Sequence, residues 1–286
     1  MSDRRHMKIK DIDVVINKPV VSVIMGVYNA GKSNMLQQAI LSILNQTMQN
    51  FEFIICDDAS TDSSYNILQG YMNDSRIVVI KNDKNRGLAY SLNKCISIAK
   101  GKYIVRQDAD DYSDASRLNV LVEFMESHPN YDIVGSNIKY FNDSGLWGKY
   151  VLPQYPQKKD FLFTVPFIHA TVIFKKESIL KVGGYRVHKE TFRCEDYDLF
   201  MTMYSKGMRG ANIQRFLYNV REDSAAQKRR KYKYRIDEAK VRLSGYRELK
   251  LLPIGYLYAL KPLLVGLIPT SLLKVIKDKY YQRRSK

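Results

Sequence analysis

Cysteine is scarce: Cys56, Cys95 and Cys194 are the only three, far apart and without a CxxC spacing. That speaks against a disulfide framework and a thiolate zinc site, and it makes a reducing compartment the expected home. Neither GxGxxG nor GxxxxGK[ST] occurs, so a dinucleotide fingerprint and a P-loop are both unsupported. No internal repeat, low-complexity tract or sharp linker is visible. The first residues, MSDRRHMKIKDIDVV, hold basic side chains but no apolar stretch of signal-peptide length, so the chain is expected on the cytoplasmic side. Acidic residues are the minority, 29 against 46 Lys and Arg, for a formal net charge of +17.

What is present suffices for a folded protein: 286 residues, 45% of them hydrophobic, can build one large domain or two small ones. Short runs rich in Val, Ile, Phe and Tyr read as strands: 20–28, 51–56, 77–80 and 102–107. Between and after them, Leu88, Leu92, Cys95, Ile96 and Ala99 share one helical face, and Leu118, Leu121, Val122 and Met125 share another. Ser60, Thr61 and Asp62 are candidate caps for a helix near 65–71. This alternation predicts an α/β fold with a mainly parallel central sheet flanked by helices, whose ligands gather beyond the carboxyl ends of the strands.

The second half is less regular. Residues 131–141 and 169–175 carry strand patterns, Gly183 and Gly184 make a turn, a helix begins at Glu195, and a basic helical stretch begins near Ser224. The basic excess concentrates in KRRKYKYR, 228–235, with six cations in eight residues, and in the last residues. Such runs suit nucleic acid, an anionic membrane surface, a phosphorylated ligand or a solvated helix face. Residues 251–276 are strongly apolar but interrupted by Pro253, Lys261, Pro262 and Pro269. A straight spanning helix is therefore not expected; two short helices lying on a membrane surface, or packed on the domain, are.

Against so basic a background, RQDADD at 106–111 stands out. Asp108 and Asp110, one residue apart past a strand, can turn oxygens toward one Mg²⁺ or Mn²⁺, while the same spacing also suits a loop in which Asp111 or Asp114 caps the next helix. Asp57 and Asp58 end a neighbouring strand. Mutual repulsion requires that some of these acids meet neutral donors, such as a uracil imide and ribose hydroxyls. Tyr28, at the end of the first strand, offers a stacking face or simply packs.

In order, VSVIMGVYNA, FEFIICDDASTDSS, NRGLAYSLN, GKYIVRQDADD, VGGYR and CEDYDLFMTM resemble the inverting family 2 nucleotide-sugar glycosyltransferases of the GT-A fold, of the bacterial polysaccharide-synthesis type. The match runs over about 19–222. It implies a nucleotide-binding half at 19–113 and an acceptor half at 114–222, with an N-terminal extension at 1–18 and a basic, amphipathic helical region at 223–286. It also implies that Asp110 is the principal ligand of Mn²⁺ or Mg²⁺, with Asp108 touching the ribose and sharing the metal. Asp57 and Asp58 would address the uracil and ribose, Tyr28 and Asn29 would line the nucleotide pocket, and Arg86 would meet donor phosphate or sugar.

CEDYDLFM matches the family's element for the acceptor base. Asp196, Leu199, Phe200 and Met203 follow helical spacing, so Asp196 opens the inward face while Asp198 points elsewhere. Asp196 is thus the expected base and Glu195 the alternative, in a single displacement that inverts the anomeric carbon. The closing motif departs from the family pattern: Asn219 and Arg221 stand where many members have Arg and His, which suggests that Arg221 contacts phosphate. His169, read within an apolar strand, is either an acceptor contact or a core residue. The expected partners are a UDP-sugar or similar donor and a saccharide acceptor that can carry a lipid diphosphate. An anionic membrane surface completes them, with the protein peripheral at the inner face and no nucleic acid bound. The rival readings are a nucleotidyltransferase, which needs no late base, and a non-catalytic basic membrane-binding protein, which leaves the acidic clusters unexplained.

Overall fold

The computed structural model of the chain describes residues 18–221 and 232–268. Four parallel strands form the first half of the sheet, β1 (Val21–Val27), β2 (Phe51–Asp57), β3 (Ile77–Lys81) and β4 (Tyr103–Arg106), in the spatial order β3-β2-β1-β4. β1 and β2 are apolar along almost their whole length because both of their faces are covered, as expected for central parallel strands. Side chains alternate between two cores. Ile24, Ile54, Cys56 and Ile104 pack against α3 (Leu88–Ile98) and α6 (Glu195–Ser205), whereas Val23, Met25, Phe53, Ile55 and Val105 pack against α1 (Met35–Leu44) and α4 (Arg117–Ser127).

The helices α3 and α4 fall where the apolar spacing predicts. The helix near 65–71 is α2 (Ser64–Gln69), and Asp62 supports its start, its Oδ1 accepting from the Ser64 N–H at 2.9 Å. α1 was not anticipated. Its N-cap, Asn34, makes no side-chain cap bond and its first turn holds no acid, so the usual start signals are missing.

The second half is mixed, not parallel. β8 (Ile173–Lys175) lies antiparallel between β4 and β6 (Ile133–Asn142), and β6 pairs in parallel with the long β9 (Gly210–Arg221). β7 (Gly145–Tyr150) forms a hairpin on β6, and β5 (Tyr112–Ser113) pairs with Asn219 and Tyr218 of β9. That small pairing ties the loop after β4 to the far end of β9. His169 does not lie in a strand: it begins a 3₁₀ turn, His169–Thr171, that precedes β8. The strand pattern of this segment therefore begins about four residues too early, because alternation does not distinguish a 3₁₀ turn from the strand it leads into.

Gly183 and Gly184 follow α5 (Lys176–Lys181) with φ of +81° and +73°, and their N–H groups bond back to Leu180 and Ile179. They are the C-terminal turn of that helix. Asn93 of α3 then clamps the chain, exchanging hydrogen bonds of 2.7 and 2.8 Å with the backbone of Tyr185.

α7 (Tyr232–Glu248), α8 (Gly255–Ala259) and α9 (Lys261–Gly266) continue the same body, with Val241, Tyr246, Leu249 and Ala259 in the core that holds α6. Inside this contact Tyr246 donates to the Phe161 carbonyl at 3.0 Å and lies 3.1 Å from the Tyr197 hydroxyl. No helix among the described residues is long and apolar enough to cross a membrane. Leu257, Leu260, Leu264 and Leu267 form one exposed stripe at helical spacing, each more than half exposed. The expectations for residues 1–17, for the first half of the basic run at 228–231 and for 269–286 lie outside the described residues.

Candidate active site

A cleft of about 980 Å³ opens at the carboxyl ends of β1 to β4, walled by Tyr28, Asn29, Asp58, Arg86, Asp108, Asp110, Glu195 and Arg221 among others. Sheet register explains the convergence: Val27 pairs with Asp57, which pairs with Lys81, while Arg106 of β4 pairs only with Ile24, so the loop after β4 rises to the level at which the other strands end.

The loops after β1 and β2 are stitched together. The N–H groups of Asn29, Ala30 and Gly31 donate to Ser60 Oγ, Ser64 Oγ and Asp62 Oδ2 at 2.8–3.0 Å. Asn29 has φ of +51° and its Oδ1 accepts from the Thr61 N–H at 2.9 Å. Tyr28 is left half exposed above this loop. Gly31 cannot carry a side chain here, since an added Cβ would lie 2.7 Å from the Ser64 nitrogen.

The two acids after β2 have different environments. Asp58 Oδ1 accepts from the Arg86 N–H at 2.8 Å and from Asn82 Nδ2 at 2.7 Å, and its Oδ2 accepts from the Gly87 N–H at 2.8 Å. It shapes the loop that starts α3, although it also faces the cleft. Asp57 is fully buried; its Oδ2 accepts from the Ser60 N–H at 3.2 Å, and its Oδ1 has no hydrogen-bond partner. Such an acceptor is costly unless a ligand supplies the donor. Arg86 is exposed, pairing with Asp83 at 3.2 Å and covering the ring of Tyr90.

Past β4, Asp108 Oδ1 meets Arg106 Nη2 at 2.6 Å, and the Asp108 N–H donates to the Tyr218 hydroxyl at 3.0 Å. Asp110 is exposed on the cleft wall. Asp111 is not a helix cap: it is buried, and its Oδ1 accepts from the Arg221 N–H at 2.7 Å, which bolts this loop to the end of β9. Burial, then the carboxylates of Asp108 and Asp110, push the Asp111 carboxyl well above the ordinary range. Asp114 instead precedes α4, accepting from the Ser116 N–H at 3.0 Å. Arg221 also reaches Asp143 at 2.8 Å. Asn219 is buried beneath it, donating to the Tyr112 carbonyl at 3.3 Å, and does not line the cleft.

Among the described residues no group of three or more His, Cys, Asp and Glu converges as a ligand set. The chemistry of the cleft nonetheless fits a hard cation. Mg²⁺ and Mn²⁺ bind nucleotides through one or two carboxylates with phosphate oxygens completing the shell, and Asp110 with the still one-third exposed Asp108 provides that number.

Across the cleft, α6 starts at Glu195 with three acids in its first turn. Glu195 is on the cleft wall, while Asp196 is only partly exposed and is not among the wall residues. Burial, reinforced by the adjacent Glu195, pushes the Asp196 carboxyl up to about 7 against the pull of the Tyr197 N–H at 2.8 Å. Glu195 is also raised, by burial. Asp198 faces away from this pair and is held by Arg186 at 2.5 Å. His169 shares a hydrogen bond of 2.7 Å with the Tyr185 hydroxyl, and burial holds its imidazole well below its usual value. It is partly exposed and is not among the residues of the cleft wall.

Three contributors escaped the sequence reading. Asn82, just past the end of β3, and Tyr218, within β9, are identified only by their partners. Arg106 ends a strand whose four residues are all buried, which the sequence does not reveal.

The family model described as glycosyl transferase family 2 matches residues 22–183. The chain is 41% identical over 268 residues to the EpsE protein of Bacillus subtilis (strain 168), covering 93% of this chain and 94% of that one. It is 28% identical over 272 residues to the Escherichia coli UDP-Gal:alpha-D-GlcNAc-diphosphoundecaprenol beta-1,3-galactosyltransferase, covering 93% and 98%. Among solved structures, residues 1–349 of S. aureus TarS in complex with UDP match with a TM-score of 0.64 and 20% identity, over 86% of this chain and 70% of that one. That likeness supports the GT-A fold.

Proposed function

Given that the chain belongs to glycosyl transferase family 2 and is a glycosyltransferase, we propose that it moves a sugar from a UDP-sugar to a saccharide hydroxyl in bacterial polysaccharide synthesis, with inversion. The observation that carries this reading is the pairing of two chemistries on one cleft. On one side are the exposed Tyr28 ring, Asp58 and the Asp108–Asp110 loop, with the unsatisfied Asp57 Oδ1 buried behind them at the end of β2; on the other is Glu195, with the raised carboxyl of Asp196 next to it. A nucleotidyltransferase would have no use for the second group.

Asp57 Oδ1 accepts the uracil imide, Tyr28 stacks on the base, and Asp108 accepts from the ribose. A divalent ion held by Asp110 and Asp108 would neutralise charge on the departing diphosphate. Arg86 and Arg221 lie on the same wall as phosphate contacts. Asp196, or Glu195 beside it, takes the proton from the acceptor hydroxyl as that oxygen attacks the anomeric carbon. The catalytic unit is 19–222, with 19–113 holding the nucleotide and 114–222 the acceptor. A panel of UDP-, GDP- and dTDP-sugars tests the donor class: acceptor-dependent release of UDP is expected, and release of another nucleotide in its place would overturn it.

The acceptor, by likeness to the galactosyltransferase above, carries a lipid diphosphate. Region 223–286 then serves as the contact with the inner face of the membrane, where the exposed leucines of 257–267 accompany α7, whose Arg235 lies against Gly266. Replacing Leu257, Leu264 and Leu267 by Ser is expected to cut co-flotation with anionic vesicles by about tenfold. Undiminished flotation would refute the surface.

A further inference from the structure

We propose that Arg106 is a positioning residue of the transfer reaction: its guanidinium, buried at the end of β4, holds the Asp108 carboxylate in place for the donor. The inference rests on the reading of Asp108 given above and adds a residue to it.

Arg106 ends β4, in the middle of the sheet, and only 1% of its side chain is exposed. Its Nη2 lies 2.6 Å from Asp108 Oδ1, yet its Nε and Nη1 have no hydrogen-bond partner. A guanidinium needed only to plug a strand end would be a poor choice, because an apolar side chain of similar volume fills such a place without leaving buried N–H groups unmade. Its backbone is fixed independently of its charge: the Arg106 N–H donates to Val172 O at 3.1 Å, and its carbonyl accepts from Arg117 Nη2 at 2.7 Å. Arg117 itself is turned to Gln107, Ser113 and Ala170, not to the acids. The guanidinium of Arg106 is therefore left to act on the cleft.

The contact pairs a fully buried cation with a carboxylate that is still one-third exposed toward the cleft, so Arg106 fixes one oxygen of Asp108 and leaves the other for a ligand. The rigid guanidinium also fixes the direction from which Nη2 meets Asp108 Oδ1, which a flexible ammonium does not do.

The test uses the full chain with Arg106→Lys and Arg106→Met, each checked for cooperative thermal unfolding. UDP is titrated by calorimetry with and without Mn²⁺ for each variant and for Asp108→Asn. Arg106→Lys keeps the charge and loses the rigid guanidinium, so UDP binding should weaken by about 10- to 100-fold, in metal-free buffer as well. Arg106→Met should weaken binding at least as much. In the Arg106→Met, Asp108→Asn double variant the two losses should not add, a coupling that a purely structural role of Arg106 would not produce. If Arg106→Met does not fold, the Arg106→Lys titration decides alone. UDP affinity within about twofold of wild type in a folded Arg106 variant overturns the proposal. Asp108→Asn separates this from the reading beneath it: if that variant leaves UDP binding unchanged, the assignment of Asp108 fails, and if it weakens binding while the Arg106 variants do not, only the role of Arg106 fails.

Discussion

Asp196→Asn is expected to lower sugar transfer by about 10²- to 10⁴-fold while UDP affinity stays within about twofold, the range for removing a general base. The physical reason is the position of this carboxylate at the first turn of α6. Burial raises it to about 7, high enough for an effective base, while the Tyr197 N–H and the helix terminus favour its anion. A base accepts a proton only when ionised, so activity should climb as pH rises through about 7 and level off above it. In Asp196→Asn that limb should vanish. Glu195→Gln is the companion measurement, because Glu195 lies on the cleft wall and is also raised by burial. A larger loss in Glu195→Gln, with the pH limb kept in Asp196→Asn, would transfer the role to Glu195.

The second large effect is expected on the opposite side of the cleft. Asp110→Ala should remove the metal-dependent part of UDP affinity, a loss of about 100-fold in the presence of Mn²⁺, and leave metal-free binding almost unchanged. Asp110 is exposed on the wall, whereas Asp108 is only one-third exposed and Asp111 is buried, so Asp110 is the acid of this loop whose removal disturbs the least packing. The fold should tolerate its loss, with a melting temperature close to wild type. UDP binding that ignores both Mn²⁺ and the substitution would remove the metal from the account.

Much of this was legible in the sequence because the first half obeys local rules. Buried parallel strands read as apolar runs, amphipathic helices read at their own period, and the acids at 57–58, 108–111 and 195–196 stand out because the pattern around them is regular. The second half hides its order. β8 contributes three residues and β5 two, and both pair with strands distant in sequence, which no local period encodes. α1 begins without a capping side chain and so announces itself poorly. Composition cannot say how neighbouring acids divide their work either. Asp57 and Asp58 are adjacent and alike, yet only partners tens of residues away decide that one builds a loop and the other keeps an oxygen unpaired. Arg106 was invisible for a related reason: in a chain with 46 Lys and Arg, one more cation draws no notice until its burial is known.

The central claim is that this cleft transfers a sugar from a UDP-sugar with inversion. Its most direct test is proton NMR of the product formed from an α-linked UDP-sugar, chosen by the donor panel, and a lipid-diphosphate-linked saccharide acceptor. The account predicts a new β-glycosidic anomeric signal that rises with UDP release and is lost in Asp196→Asn; an α-linked product, or UDP released with no glycosylated acceptor, would contradict it.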